Sequence, residues 1–298
     1  MTLTIPAHAR SENLRGIAAM LAATAVFVVN DTLLKIAAEA LPTGEAIFLR
    51  GLLTTLFCAS LLFSLGTPGS LPHAVSPKII GRAIAEIGST LFFLSALVRM
   101  PIGDAIAILQ FTPLAITAGA ALFLGDKVGW RRWLATCVGL LGVLIIVRPG
   151  ETGFNPYSVL ALLSILFGVA RDLLTRGMAS SVPSLLIAGT SSAAVTLASL
   201  GFIAFESWRW PSATTLLVIL GSSTALVAGQ YWLITGMRTG EIAVVAPFRY
   251  SVTLWAVLAG YLVWSETPDL ASWVGIAIVT AAGLYTFLRE QRLAKAAR

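Results

Sequence analysis

Long apolar stretches dominate this chain, separated by short segments rich in polar residues, glycine and proline. Windows of roughly 17–25 apolar residues, the length a helix needs to cross about 30 Å of hydrocarbon, fit at 14–37, 43–65, 79–98, 103–124, 131–147, 157–177, 184–205, 214–236, 242–264 and 270–288. The runs are continuously apolar and lack period-two alternation, which excludes a β-barrel. The pattern predicts an all-α polytopic membrane protein with ten transmembrane helices.

The pattern is duplicated. Val29-Asn30-Asp31-Thr32-Leu33-Leu34-Lys35 and Pro42 recur 141 positions later as Ala170-Arg171-Asp172-Leu173-Leu174-Thr175-Arg176 and Pro183. Gly103-Asp104-Ala105 and Phe111 match Gly240-Glu241-Ile242 and Phe248, and Gly125-Asp126 and Ser265-Glu266 follow at similar spacing. The halves are therefore 1–150 and 151–298, with five spans each. An odd number of spans starts the second copy on the opposite side of the bilayer, so the repeats are inverted, the organisation of many transporters.

Composition agrees. With 57% hydrophobic and 11% charged residues and a mean hydropathy of +0.87, the apolar mass must face lipid. If the chain starts in the cytoplasm, thirteen basic residues fall in inside segments (Arg10, Arg15, Lys78, Arg82, Lys127, Arg131, Arg132, Arg176, Arg238, Arg289, Arg292, Lys295, Arg298). Only four fall outside (Lys35, Arg99, Arg148, Arg209). This asymmetry predicts a protein of the cell inner (plasma) membrane with both termini cytoplasmic. The net charge of +6 then calls for no nucleic-acid partner, because the charges anchor helix ends at an anionic leaflet. A cleaved signal peptide is not expected: the first run is long, carries Asp31 and Lys35, and is required by the repeat.

Several chemistries drop out. Cys58 and Cys137 lie inside spans and read as small packing residues. His8 and His73 lie outside the spans, so there is no Ser–His hydrolase and no metal-ligand spacing. No G-x-x-x-x-G-K loop cradles a nucleotide, so no cofactor is expected and transport must draw on gradients. The one enzyme alternative is an intramembrane aspartyl protease using Asp104 with Asp31 or Asp172. It needs two carboxylates sharing a proton, whereas Asp104 and its counterpart Glu241 sit where an acid caps a helix start.

Function is sought in the intramembrane charges, each costing roughly 2.5–3.5 kcal/mol unless paired or wetted. Asp31 and Lys35 lie one turn apart toward the outer face, and Asp172 and Arg176 toward the inner face. They are either self-neutralising i,i+4 pairs or outer and inner closures of a central cavity. Arg50 is a further gating or coupling candidate that snorkels outward or pairs with Asp31. Glu45 also breaks the symmetry. Glu86 is a candidate site acid, with Arg82 one turn away. Arg249 follows Pro247, whose missing N–H opens a kink. Its planar fork suits a substrate carboxylate or phosphate, the alternative being a structural partner for Asp172 or Glu86. Gln110, Gln230, Tyr231, Trp232 and Tyr250 offer hydrogen bonds and stacking in the same cavity. Trp130, Trp133, Trp208, Trp210, Trp264 and Trp273 read as interfacial belts.

Pro113, Gly125-Asp126 and Ser265-Glu266, set in ten spans of two inverted halves, resemble the EamA family of the drug/metabolite transporter superfamily over nearly the whole length. Asn30-Asp31-x-x-x-Lys35, Glu45-Ala46-x-x-Leu49-Arg50, Trp130-Arg131-Arg132-Trp133 and Ala246-Pro247-Phe248-Arg249-Tyr250 look like the bacterial branch that includes S-adenosylmethionine uptake carriers. Riboflavin carriers and amino-acid exporters share much of the pattern. The resemblance implies a cavity formed mainly by spans 1, 3, 4, 6, 8 and 9. The expected function is alternating-access transport of a small metabolite, foremost an amino acid or derivative, with S-adenosylmethionine or riboflavin uptake as alternative. The expected partners are that metabolite, protons as candidate coupling ion and the lipid bilayer, with the carrier a monomer or weak dimer.

Overall fold

The computed structural model describes residues 7–64, 76–123, 129–148, 154–176, 184–239 and 245–296. Asp126, Lys127, Pro183 and Glu241 lie outside them, as does the side chain of Arg176. The described elements are helical: α1 (Ala7–Ala40), α2 (Thr43–Ser64), α3 (Pro77–Leu97), α4 (Ile102–Leu109), α5 (Thr112–Phe123), α6 (Trp130–Val147), α7 (Tyr157–Arg176), α8 (Ser184–Ile203), α9 (Ala213–Thr239), a 3-10 helix (Ala246–Ser251), α10 (Val252–Trp264) and α11 (Leu270–Ala296). Helix satisfies every backbone group within its own segment, which hydrocarbon demands. The breaks carry local signals. Leu41 precedes Pro42, a position that disfavours helix, and Pro77 starts α3, where its missing N–H is harmless.

Two predicted spans are not continuous. The fourth, expected over 103–124, breaks at Gln110 and Phe111 between α4 and α5. Pro113 has no N–H to offer the carbonyl of Leu109, and the Thr112 hydroxyl donates to it instead at 2.6 Å. Among the described residues of the ninth, expected over 242–264, helix at Val245 gives way to a 3-10 helix around Pro247 and then to thirteen residues of α-helix. Phe111 and Phe248 correspond in the repeat, so the two breaks fall at equivalent places. Discontinuous helices near the midplane expose backbone only where a cavity receives it.

The main helix pairs join one half to the other: α1 with α9, α3 with α7, α2 with α8, and α6 with α11. Exchanging each helix for its counterpart turns α1–α9 into α7–α3 and leaves the other two pairs unchanged. This is the contact pattern of two inverted repeats of five spans. Large apolar side chains on the outer surface, Leu122, Phe123, Leu217 and Leu262 among them, are exposed and suit lipid. Cys58 and Cys137 are both free.

Candidate functional site

A cavity of about 620 Å³ lies between the halves. α1 contributes Asn30 and Asp31, α2 Arg50, α3 Glu86, the α4–α5 break Gln110, α7 Arg171 and Asp172, and the 3-10 helix Arg249 and Tyr250. Phe27, Phe93 and Phe287 add apolar wall. α11 also takes part through Gly283: a Cβ there would fall 1.8 Å from the Tyr250 hydroxyl, so only glycine seats that ring.

The acids are held in matching ways. Asn30 donates its amide N–H to Asp31 at 2.8 Å, and Arg171 donates Nε–H to Asp172 at 2.7 Å. Each acid is thus steadied by the residue before it, at equivalent repeat positions. Asn30 is itself anchored to α9, its side-chain oxygen accepting from Ser222 at 2.9 Å. Arg171 also reaches Glu86 at 3.3 Å, and Arg82 meets Glu86 at 3.4 Å. Two acids and two bases of α3 and α7 therefore neutralise one another.

Two guanidinium groups remain. Arg50 Nε is buried without a hydrogen-bond partner, and Arg50 forms no ion pair among the described residues, although it feels the fields of Asp31 and Glu86. Arg249 is exposed into the cavity and likewise forms no ion pair among the described residues. Asp172 and Glu86 are already engaged by Arg171.

At the end opposite Ala7, where α1 begins, an ion pair joins the two halves. Lys35 is buried and its ammonium donates to Glu266 at 3.0 Å and to the carbonyl of Met100 at 2.9 Å, while lying 4.5 Å from the Trp264 ring centre. These three interactions use the ammonium fully. Ser265 turns α10 off in the left-handed region (φ 56°), which aims Glu266 back at the start of α4. There its second oxygen accepts from the N–H of Ile102 at 3.1 Å, an arrangement favoured by the helix dipole. Trp264 in turn donates to Glu39.

A family model described as the EamA-like transporter family matches this chain twice, over residues 14–148 and 155–288. The chain belongs to the EamA-like transporter family. Relatives of this carrier include a riboflavin transporter of Rhizobium johnstonii, 28% identical over 85% of this chain and 83% of that one. An S-adenosylmethionine uptake transporter of Rickettsia felis is 24% identical over 88% and 89%. A pseudopaline exporter of Pseudomonas aeruginosa is 26% identical over 90% and 94%. A crystal structure shares the fold with a TM-score of 0.61 at 20% identity, covering 95% of this chain and 99% of that one. All three named relatives are carriers of small metabolites, and this EamA protein is a multi-pass membrane transporter of that kind.

Within this EamA carrier, the cavity gathers Asp31, Arg50, Glu86, Gln110, Asp172, Arg249 and Tyr250, but not Gln230 or Tyr231. Those two are exposed away from it, Tyr231 stacking edge-on against Trp232 at 5.8 Å. α9 turns Leu226 and Leu233 to the cavity and presses Gly229 against Phe27 of α1, so Gln230 and Tyr231 fall on another face. Asp31 and Lys35 do not pair with each other: Asp31 accepts from Asn30 beside it, and Lys35 donates to Glu266 and the Met100 carbonyl. Glu45 lies outside the cavity and accepts from the backbone N–H of Arg209 at 3.0 Å. Trp264 lies over Lys35 and donates to Glu39. Asp104 opens α4 away from the cavity, and Asp31 and Asp172 hold separate partners, so no proton-sharing carboxylate pair is present among the described residues. The sequence marked Glu266 only as a repeat match and left it without a partner, and it left Arg171 without a role although that residue is the repeat counterpart of Asn30.

Proposed function

We propose that this carrier moves an amino acid or amino-acid derivative across the bacterial inner membrane by alternating access, with both termini cytoplasmic. The halves 1–150 and 151–298 rock against each other about the central cavity. Arg249, Tyr250 and Gln110 contact the substrate with Glu86 nearby, while Asp31, Lys35, Arg50, Asp172 and Arg176 serve gating and coupling. The observation that supports this reading is the coexistence, in one cavity, of guanidinium groups at Arg50 and Arg249 and a carboxylate at Asp31 that form no ion pair among the described residues. Such a site matches a molecule carrying both an acidic and a basic group. A bare cation would meet two repelling charges. A planar neutral molecule such as riboflavin is the second reading, favoured by the wall of Phe27, Phe93, Phe287 and Tyr250 and by the riboflavin transporters among the relatives.

The test is purified protein in liposomes, with or without an inward proton gradient, offered labelled amino acids, S-adenosylmethionine and riboflavin for uptake and counterflow. Saturable counterflow of a zwitterion is expected. Riboflavin counterflow with no zwitterion transported would replace the first reading by the second.

A further inference from the structure

A second cavity, about 470 Å³, lies between the start of α6 and the last turns of α11, walled by Arg131, Tyr285, Leu288, Arg289 and Arg292. Three guanidinium groups converge there, and none forms an ion pair among the described residues. Arg289 Nη1 is buried and has no hydrogen-bond partner, a state that costs about 1–3 kcal/mol or more for a charged donor. No carboxylate of the described residues lines the cavity to accept from them.

Its depth identifies the source of that acceptor. The apolar span of α11 ends at Arg289 and that of α6 begins at Trp130, so the cavity stands at headgroup level. Exposed Tyr285 lines it, exposed Trp130 and Trp133 share the first turn of α6 with Arg131 as interfacial aromatics do, and Arg131 lies over the Trp130 ring at 5.3 Å. From Arg131 an apolar stripe runs down one face of α6 through Leu134, Val138 and Leu141, all exposed and spaced three, four and three residues apart. A soluble anion would use the arginines and leave the stripe bare.

We infer that this cavity binds the headgroup of an anionic phospholipid, its phosphate oxygens accepting from Arg131, Arg289 and Arg292 while an acyl chain lies along Leu134, Val138 and Leu141. Basic pockets between membrane helices recognise lipid phosphate in this way. α6 and α11 are the fifth spans of their repeats and pack on each other, so the lipid would brace the two halves at one edge. The inference is independent of what the central cavity carries.

The full chain, purified in detergent and stripped of lipid, is given phosphatidylglycerol, phosphatidylcholine or inorganic phosphate. Bound lipid is counted by native mass spectrometry and thermal stability is followed alongside. The wild type is expected to retain and be stabilised by phosphatidylglycerol selectively. Arg131→Gln and Arg289→Gln should each weaken retention about fivefold, the equivalent of ~1 kcal/mol per arginine near an anionic surface. Arg15→Gln, which removes a charge at the same end outside the pocket, should change nothing. Arg131 is exposed at the start of α6, so its variant carries the test should Arg289→Gln fail to fold. Equal retention of the two lipids, undiminished retention by a folded double variant, an equal loss in Arg15→Gln, or full protection by inorganic phosphate would each overturn the inference.

Discussion

Lys35 of α1 and Glu266, two residues past α10, meet at 3.0 Å and tie the first repeat to the second at the end of the cavity away from the chain termini. Removing one partner of a buried pair costs on the order of 3 kcal/mol, because the other charge is left stranded. Glu266→Gln should therefore lower thermal stability and raise the labelling of a cysteine introduced at that end. Adding Lys35→Met should restore stability while leaving the end accessible. Unchanged labelling in Glu266→Gln would show that the pair does not close this face.

Arg171 is predicted to be structural. It reaches both Glu86 and Asp172, so Arg171→Leu strands Asp172, leaves Glu86 to Arg82, and should destabilise by on the order of 3 kcal/mol. Neutralising both acids in the same protein should recover most of the loss, as read from denaturation midpoints in detergent.

Arg249 should behave oppositely. With no ion-pair partner among the described residues, Arg249→Lys and Arg249→Leu should both fold normally. Replacing the bidentate fork by an ammonium should weaken substrate binding by about 1–3 kcal/mol, or ten- to a hundredfold. The ligand-induced rise in melting temperature should shrink in Arg249→Lys and vanish in Arg249→Leu. A full rise in Arg249→Leu would remove it from the binding site.

Asp269 carries stability that depends on pH. A hydrogen bond from Arg148, and then the backbone N–H of Ser272 at 2.9 Å, hold its carboxyl down from 3.8 to about 2. A carboxylate held low contributes stability that is complete above its unfolded value and is lost as pH falls through the folded one. Its side chain is half exposed, so screening limits the charge's share to under about 1 kcal/mol. Asn can still cap α11. Asp269→Asn should thus be slightly less stable than wild type at pH 6, and the gap should close between pH 4 and 2. A constant gap would point to the cap and not the charge.

Topology has a direct check. A reporter active only in the cytoplasm should work when fused at Arg298 and fail near Glu151. Activity near Glu151 would contradict the placement of both termini in the cytoplasm.

The ten spans, their length and their duplication were legible in the sequence because transfer into hydrocarbon acts on each window by itself and needs no partner. The matched positions of Asp31 and Asp172 were legible for the same reason, since a repeat leaves its offset in the chain. The interruptions at Gln110 and Pro247 were only half visible: proline announces a lost hydrogen bond, but whether a helix kinks through or breaks depends on what takes the freed carbonyl, as the Thr112 hydroxyl does here.

Facing and pairing were decided by the tertiary structure alone. Lys35 found Glu266 across 231 residues of chain instead of Asp31 one turn away. Arg171 took both acids that Arg249 was a candidate to neutralise, and so left Arg249 without an ion pair among the described residues. Gln230 and Tyr231 turned outward because α9 packs on α1 through Gly229. In a medium where an unpaired charge is costly, each ionic group goes to the best partner within a few ångströms. Which groups come within that reach is fixed by how helices distant in sequence lie against one another.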